Sequence, residues 1–463
     1  MKFKEKYCNI HLSEKLTLQV NKMKRFIIEK STEEFYTSHS GLALVGLGVN
    51  RYTRLNSKIK RAMPDTKDIS NTDVIRGYLG LLALGKSDFE AIADMKNDRY
   101  FKESLGMKKV PSPETLRQRL DEFATVFQPI ASSTYTEFIR NSKANITPLA
   151  MGHVPVDVDV FCMDNSGTKK EGSNHTYHGY DGYAPIGAYL GGEGWCLNIE
   201  FREGSQHSQK NFIPFLEETI SRAKSLTKKP LLFRLDSAHD AVETRAIFDR
   251  HEKTDFILKW NPRKQDQASW WARGQKEGKV SNPRPGKQVA VMSLNQLQDH
   301  KGKEFSCRLV VRVTKRTIDK RGQVLLQPDV ELEGWWTSLY LPEEEIIKLY
   351  QDHGTSEQFH SEFKTDMDLE RLPAGKFATN ALIMSLAGLA YNILRFIGQI
   401  GLLGDRSPVR HSAKRRRIRT VIQELIYRAA RLIETGRKSK LRFSCHCKAF
   451  DAFQRVYARL AFG

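Results

Sequence analysis

Residues 1–60 are polar and mixed, and apolar residues recur three and four positions apart only from about 71 onward. Over 71–84, Val74, Ile75, Tyr78, Leu79 and Leu82 fall on one side of a helix. Ser70 or Asn71 is placed to cap its start and Gly85 to end it. A second short helix is predicted over 88–95. A third opens at Ser112-Pro113-Glu114-Thr115 and turns Leu116, Leu120 and Phe123 inward. At Val154 the period changes to two: Val154, Val156, Val158 and Val160 face one way, Asp157 and Asp159 the other. After a polar turn come two more strand-like runs, APIGAYLG and WCLNIEFRE, then a helix over 217–226. A strand that runs up to Asp236 (PLLFRLDS), a helix (VETRAIFDRHE) and a strand (DFILKW) follow. That succession predicts an α/β domain built on a mixed sheet.

From about 261 to 335 the chain turns rich in Lys, Arg, Gly and Pro, with β-type runs such as SCRLVVRVTKR and QVLLQ. This predicts a β-rich insertion after the last sheet strand. Helical periodicity resumes after Pro342 and continues through ATNALIMSLAGLAYNILRFIGQI. Three regions are therefore expected: helical over 1–150, α/β with its insertion over 151–400, and helical and basic over 401–463.

Charge narrows the function. Lys+Arg 74 against Asp+Glu 54 leaves a net charge of +20, which draws polyanions, and nucleic acid first among them. Neither a signal peptide nor a membrane span is expected. The nearest apolar run, 381–403, is interrupted by Asn392, Arg395 and Gln399. Six cysteines make no disulfide scaffold in a chain of 463 residues, which fits a reducing cytoplasm. Cys8, Cys162, Cys196 and Cys307 stand alone. Cys445-His446-Cys447 lacks a second Cys/His pair to complete a zinc site and reads as structural.

Three acids carry the candidate chemistry: Asp159 on the first sheet strand, Asp236 at the carboxyl end of a later one, and Glu357 on a helix. Carboxylates gathered from distant positions repel unless cations lie between them. Two divalent ions about 4 Å apart would offset that repulsion and clamp a reacting phosphate. Oxygen donors favour Mg²⁺ or Mn²⁺ over zinc. If the helix is continuous, Tyr350, His353, Glu357 and Lys364 share one stripe facing away from Ile346, Phe359 and Phe363. Tyr350 and Lys364 would then hold a DNA backbone. The plainer readings are a wet strand face for Asp157 and Asp159, a helix cap for Asp236, and a capping box of Thr355 and Gln358 after Gly354.

The spacing Y-x2-H-x3-E-x6-K at 350–364 resembles the Y-x2-R-x3-E-x6-K signature of DDE transposases of bacterial insertion sequences. FRLDSAHDA resembles their second-Asp motif and VPVDVDVFCMDNSGTKKEG their first. The resemblance implies a ribonuclease-H-like fold, Asp159, Asp236 and Glu357 as catalytic triad and ligands of two Mg²⁺ or Mn²⁺ ions, and DNA cleavage followed by strand transfer. Its partner would be double-stranded DNA, both terminal inverted repeats and target, bound by a homodimer in a bacterial, nucleoid-associated setting. His353 stands where the signature has Arg. Asp164 and Asp157 compete with Asp159 for the first position. Lys414, Arg415, Arg416 and Arg417 are expected on phosphate, and Arg117 and Arg119 suit a helical DNA-binding unit. Trp270-Trp271 and Trp335-Trp336 flank the insertion, where relatives stack an aromatic on a flipped base; a core role is favoured for 335–336. A metal-dependent nuclease of the same fold and a domesticated DNA-binding protein are the alternatives.

Overall fold

The helical periods at 71–84 and after Ser112 are realised as α2 (Asn71–Ala83) and α3 (Pro113–Asn141) in a computed structural model of the chain, while α1 (Leu42–Tyr52) forms in the stretch read as polar and mixed. The structure describes residues 27–28, 30–64, 68–436 and 438–463, with the backbone alone for 353, 355 and 356. Cys8 lies outside the described residues. Ser70 caps α2 by accepting from the Asp73 amide at 2.9 Å, and Ser112 caps α3 by accepting from Thr115 at 3.1 Å. Helix α3 continues through Pro129 because its buried stripe continues, through Phe127, Ala131, Tyr135 and Phe138.

The alternating run at Val154 becomes the middle of a sheet. Strands β1 (Val154–Val160), β2 (Ile186–Leu190), β3 (Trp195–Glu200), β4 (Leu231–Leu235) and β5 (Thr254–Lys259) lie side by side in the order β3-β2-β1-β4-β5. Strand β1 is parallel to β4 and β4 to β5, while β2 is antiparallel to both its neighbours. Helix α4 (Phe212–Leu226) joins β3 to β4, and α5 (Val242–Asp249) joins β4 to β5.

The insertion opens with a helix, α6 (Gln267–Glu277), and then adds β6 (Lys279–Arg284), β7 (Lys287–His300), β8 (Lys303–Ile318) and β9 (Val324–Thr337). Gly274 lets α6 lie close on these strands; a Cβ there would stand 2.9 Å from that of Ala290. The strands are not a separate sheet. The end of β9 pairs antiparallel with β5, Trp335 opposite Lys259 and Thr337 opposite Ile257, so nine strands run on without a break.

Beyond the insertion, α7 (Glu343–Gln351) passes into a 3₁₀ turn (Asp352–Thr355), a short α8 (Ser356–Ser361) and a π turn (Glu362–Asp366). The apolar run then forms α9 (Phe377–Gly401), the one helix among the described residues long and apolar enough to cross a membrane; 94% of its most apolar window is buried inside the protein. Its polar residues have internal partners. Asn392 donates to the Cys196 carbonyl and accepts from its amide at 2.8 and 2.9 Å, and Arg395 pairs with Glu362.

Two expectations change here. The region before 150 does not stand apart: residues 35–463 form one unit, α3 lies along α9, and α1 packs on α10 (Phe450–Ala461). Arg117 stays partly exposed, whereas Arg119 is buried. Arg117 bonds Glu114 and Glu90, and the buried Arg119 guanidinium lies 5.4 Å from the Phe123 ring centre. The carboxyl region is not wholly helical either. Ala430–Thr435 and Lys438–Arg442 pair as a hairpin that also takes up Tyr36–Thr37, and Gly436, at φ +60°, supplies the left-handed residue at its turn.

Candidate active site

The carboxyl ends of β1 and β4 lie side by side because the strands are parallel neighbours in register, Asp157 opposite Arg234. Each strand then places an acid two residues later: Asp159 in β1, and Asp236 just past β4. The period of two turns all four side chains the same way. The Arg234 guanidinium grips both Asp157 oxygens, at 2.6 and 2.8 Å, with both side chains about 4% exposed. Its remaining terminal nitrogen donates to the Leu349 carbonyl of α7 at 2.8 Å. One arginine thus joins the three elements that carry or approach the acids.

Asp159, Asp236 and Glu357 line a single cleft of about 350 Å³, together with Tyr350, Lys259, Arg312, Glu333 and Trp335. A neighbouring cleft shares Asp159 and Glu357 and is completed by Tyr177, His178, His360, Lys364 and Glu370. Asp157 is taken up by Arg234. Asp164 lines neither cleft; it is on a small separate sheet, where its side chain accepts from the Ser166 amide at 2.8 Å. That bond and the Ser166 hydroxyl hold its carboxyl below the usual range.

Tyr350 sits half-buried in the wall. Burial first, then the charges of Asp236 and Asp159, pushes its phenol well above its ordinary pKa, so it stays a hydrogen-bond donor at neutral pH. The His353 side chain lies outside the described residues. Lys364 does not share a stripe with Tyr350, because the 3₁₀ and π turns break the 100° progression. It donates to the Cys162 carbonyl at 2.8 Å and meets Glu370 at 3.1 Å.

Two groups beside the acids escaped the sequence reading. His360, buried, stacks on Phe161 with ring centres 4.5 Å apart and sets Nδ1 3.9 Å from Asp159. Lys259, Arg312 and Glu333 form a charge cluster in the cleft wall: Lys259 donates to Glu333 at 2.7 Å and Arg312 at 3.0 Å. Burial alone would raise the Glu333 carboxyl, but these two cations outweigh it and hold it low. The end of strand DFILKW is a signal for Lys259, since β5 ends beside β4. Arg312 and Glu333 meet only through the β8–β9 register.

The basic run 414–417, expected on phosphate, is exposed at Lys414 and half-buried at its three arginines, each of which has internal contacts. Lys414 is exposed. The Arg415 guanidinium lies 4.1 Å from the Phe359 ring centre, Arg416 donates to the Leu402 carbonyl at 2.8 Å, and Arg417 binds both oxygens of the buried Asp366. These contacts take up part of the donor capacity of the three arginines. The tryptophans divide likewise. Trp335 and Trp336 are buried in β9, with Lys259 Nζ 4.3 Å from the Trp335 ring centre. Trp271 is on the buried side of α6, and Trp270 packs against Trp260 at 5.4 Å.

As donors, the acids of the first cleft are oxygen-only, the set that hard divalent ions take. Among the described residues, no three His, Cys, Asp or Glu side chains stand close enough together to hold a metal ion, Cys445-His446-Cys447 included. The three acids share a cleft without converging on a point.

The family model described as Transposase DDE domain group 1 matches residues 25–462. No curated protein is significantly similar to the chain. Among solved structures, the piggyBac transposase synaptic complex with hairpin DNA aligns over 84% of this chain and 80% of that one. The identity is 13% and the TM-score 0.37, too distant to bear on either fold or function.

Proposed function

The chain belongs to the DDE transposase family, group 1, and from that premise we propose that it is the transposase of a bacterial insertion sequence, cutting double-stranded DNA at the element's ends and joining them to a target. The observation that carries this reading is the meeting of Asp159, Asp236 and Glu357, far apart in sequence, in one cleft. The strand order β3-β2-β1-β4-β5, with only β2 reversed among the five, supports a ribonuclease-H-like sheet for the catalytic region.

In this reading Asp159, Asp236 and Glu357 would hold two Mg²⁺ or Mn²⁺ ions, for which their oxygen donors are suited. What such ions supply when bound is activation of the attacking water or 3′-hydroxyl and stabilisation of the leaving 3′ oxygen. The protein's own groups orient the DNA. The Tyr350 hydroxyl, kept protonated, donates to a backbone phosphate at the cleft wall. Lys364 has three N–H donors and spends two on Cys162 and Glu370, which leaves one for the strand. The excess of basic residues supplies non-specific, salt-dependent affinity. No nucleophilic Ser, Tyr or Cys is needed. We place it in the bacterial cytoplasm, acting on the nucleoid as a homodimer on its DNA.

Glu357→Gln tests the assignment. A neutral amide cannot balance a cation, so Mg²⁺-dependent nicking of a specific element end is lost while the melting temperature holds. A variant that nicks near the wild-type rate sinks the triad. Joining of a pre-cleaved end to target DNA then separates a transposase from a nuclease of the same fold.

A further inference from the structure

Helix α8 is six residues long and lies between a 3₁₀ turn and a π turn. So short a helix does not hold its own shape, and Glu357 is its second residue. Core packing fixes one side of this segment. Phe359 rests on Tyr189 with ring centres 4.7 Å apart, and Phe363 stacks on Tyr391 at 4.6 Å.

The other side is covered by residues 415–419. The Arg415 guanidinium lies over the Phe359 ring and donates to Gln358 Oε1 at 2.5 Å. Arg417 spans both Asp366 oxygens at 2.8 Å and reaches Ser361 Oγ at 2.9 Å. The Ile418 amide donates to Glu362 Oε1 at 3.2 Å, and the Arg419 amide to Asp366 Oδ2 at 3.0 Å. The segment is itself moored: Arg395 of α9 donates to the Arg416 carbonyl at 2.7 Å and also pairs with Glu362. Gln358, Phe359, Ser361, Glu362 and Asp366 are thereby engaged in succession, while His360 faces Asp159.

We infer that residues 415–419 are a strap that sets the position of Glu357, with Arg415 and Arg417 as positioning residues for the reaction and not DNA contacts. The inference rests on the assignment of Glu357 made above. Charge chemistry favours it over phosphate binding. Asp366 is buried and Arg417 is its close, two-oxygen cation, with Arg419 Nε farther off at 3.7 Å, so Arg417 leaves for a phosphate only by weakening that buried pairing. Arg415 would have to quit both a ring face and an amide.

The test uses the full chain with Arg415→Ala, Arg417→Ala and Arg417→Lys. Amide hydrogen exchange over 356–362 is measured without metal. Nicking is measured across a Mg²⁺ titration, and duplex binding across a salt titration. The strap predicts exchange at least tenfold faster over 356–362 in both alanine variants. It also predicts a fall in kcat of tenfold or more, a higher half-saturating Mg²⁺ concentration, and an unchanged slope of log K against log salt. Arg417→Lys keeps the charge but not the two-oxygen fork, so it recovers part of the loss and covers the case in which Arg417→Ala does not fold. Unchanged exchange and nicking, or a salt slope reduced by about one per arginine, overturns the strap. If Glu357→Gln nicks normally, the triad fails whatever the exchange shows. If exchange ignores the strap while Glu357→Gln is inactive, only the strap fails.

Discussion

Asp157 and Asp159 stand two positions apart on one strand face, and their neighbours give them opposite tasks. Asp157 is sealed in a two-point ion pair with Arg234, whereas Asp159 opens onto the cleft. Removing one partner of a buried pair strands the other, so Asp157→Asn costs about 3–5 kcal/mol of stability. Asp159→Asn stays within about 1 kcal/mol of wild type and loses nicking. Urea denaturation beside a nicking assay checks both, and the reverse pattern would move the first acid to Asp157. His239 makes a second prediction at this scale. It is fully buried, stacked on Phe212 with ring centres 3.9 Å apart, and burial, helped by Arg202 and His207, pulls its pKa down to about 3. Between its usual 6.5 and about 3, the unfolded chain therefore binds the proton and the folded one does not. Stability falls as pH drops through that window, by up to about 1.4 kcal/mol per pH unit from this group. His239→Phe keeps the stack and removes that slope, which denaturant titrations at pH 4–7 resolve. The alternation of VPVDVDV and the end of PLLFRLDS made the acids readable in sequence. Which aspartate faces a cation was not readable, because Arg234 meets Asp157 only through the pairing of strands far apart in the chain.

At the scale of elements, the break at Gly354 shows what periodicity can and cannot carry. Tyr350, Glu357 and Lys364 of the 350–364 motif line the clefts, but a 3₁₀ turn and a π turn, not a uniform helix, bring them there. Hydrophobic spacing reports which face is buried and is blind to such changes of pitch. The insertion was visible as a composition shift, while its fusion to β5 was not, since pairing of Trp335 with Lys259 leaves no local mark. Helix α9 carries the prediction here. Asn392 takes up both backbone groups of Cys196 in a dry core. Asn392→Leu leaves a buried N–H and C=O unmatched and costs about 3 kcal/mol. Because Asn392 lines neither cleft, the melting temperature falls while nicking at low temperature persists.

Over the whole molecule, net charge pointed to a polyanionic partner, but it could not tell a cation in solvent from one in the fold. Arg119, Arg415 and Arg416 are engaged with the fold, so composition overstates how much of the +20 is open to a polyanion. Domain borders drawn from changes of pattern miss the interleaving for the same reason: contacts between remote segments leave no trace in a local window. The clearest such contact is at the far ends of the described unit. Tyr52 of α1 donates to the Arg459 carbonyl at 3.2 Å, and Arg51 reaches the Ala461 carbonyl at 2.6 Å. During synthesis α1 therefore waits for a partner made some 400 residues later. At roughly 5–20 residues per second, the part of α1 that α10 covers stays open on the ribosome for tens of seconds, a period in which chaperones and proteases reach it before α10 does.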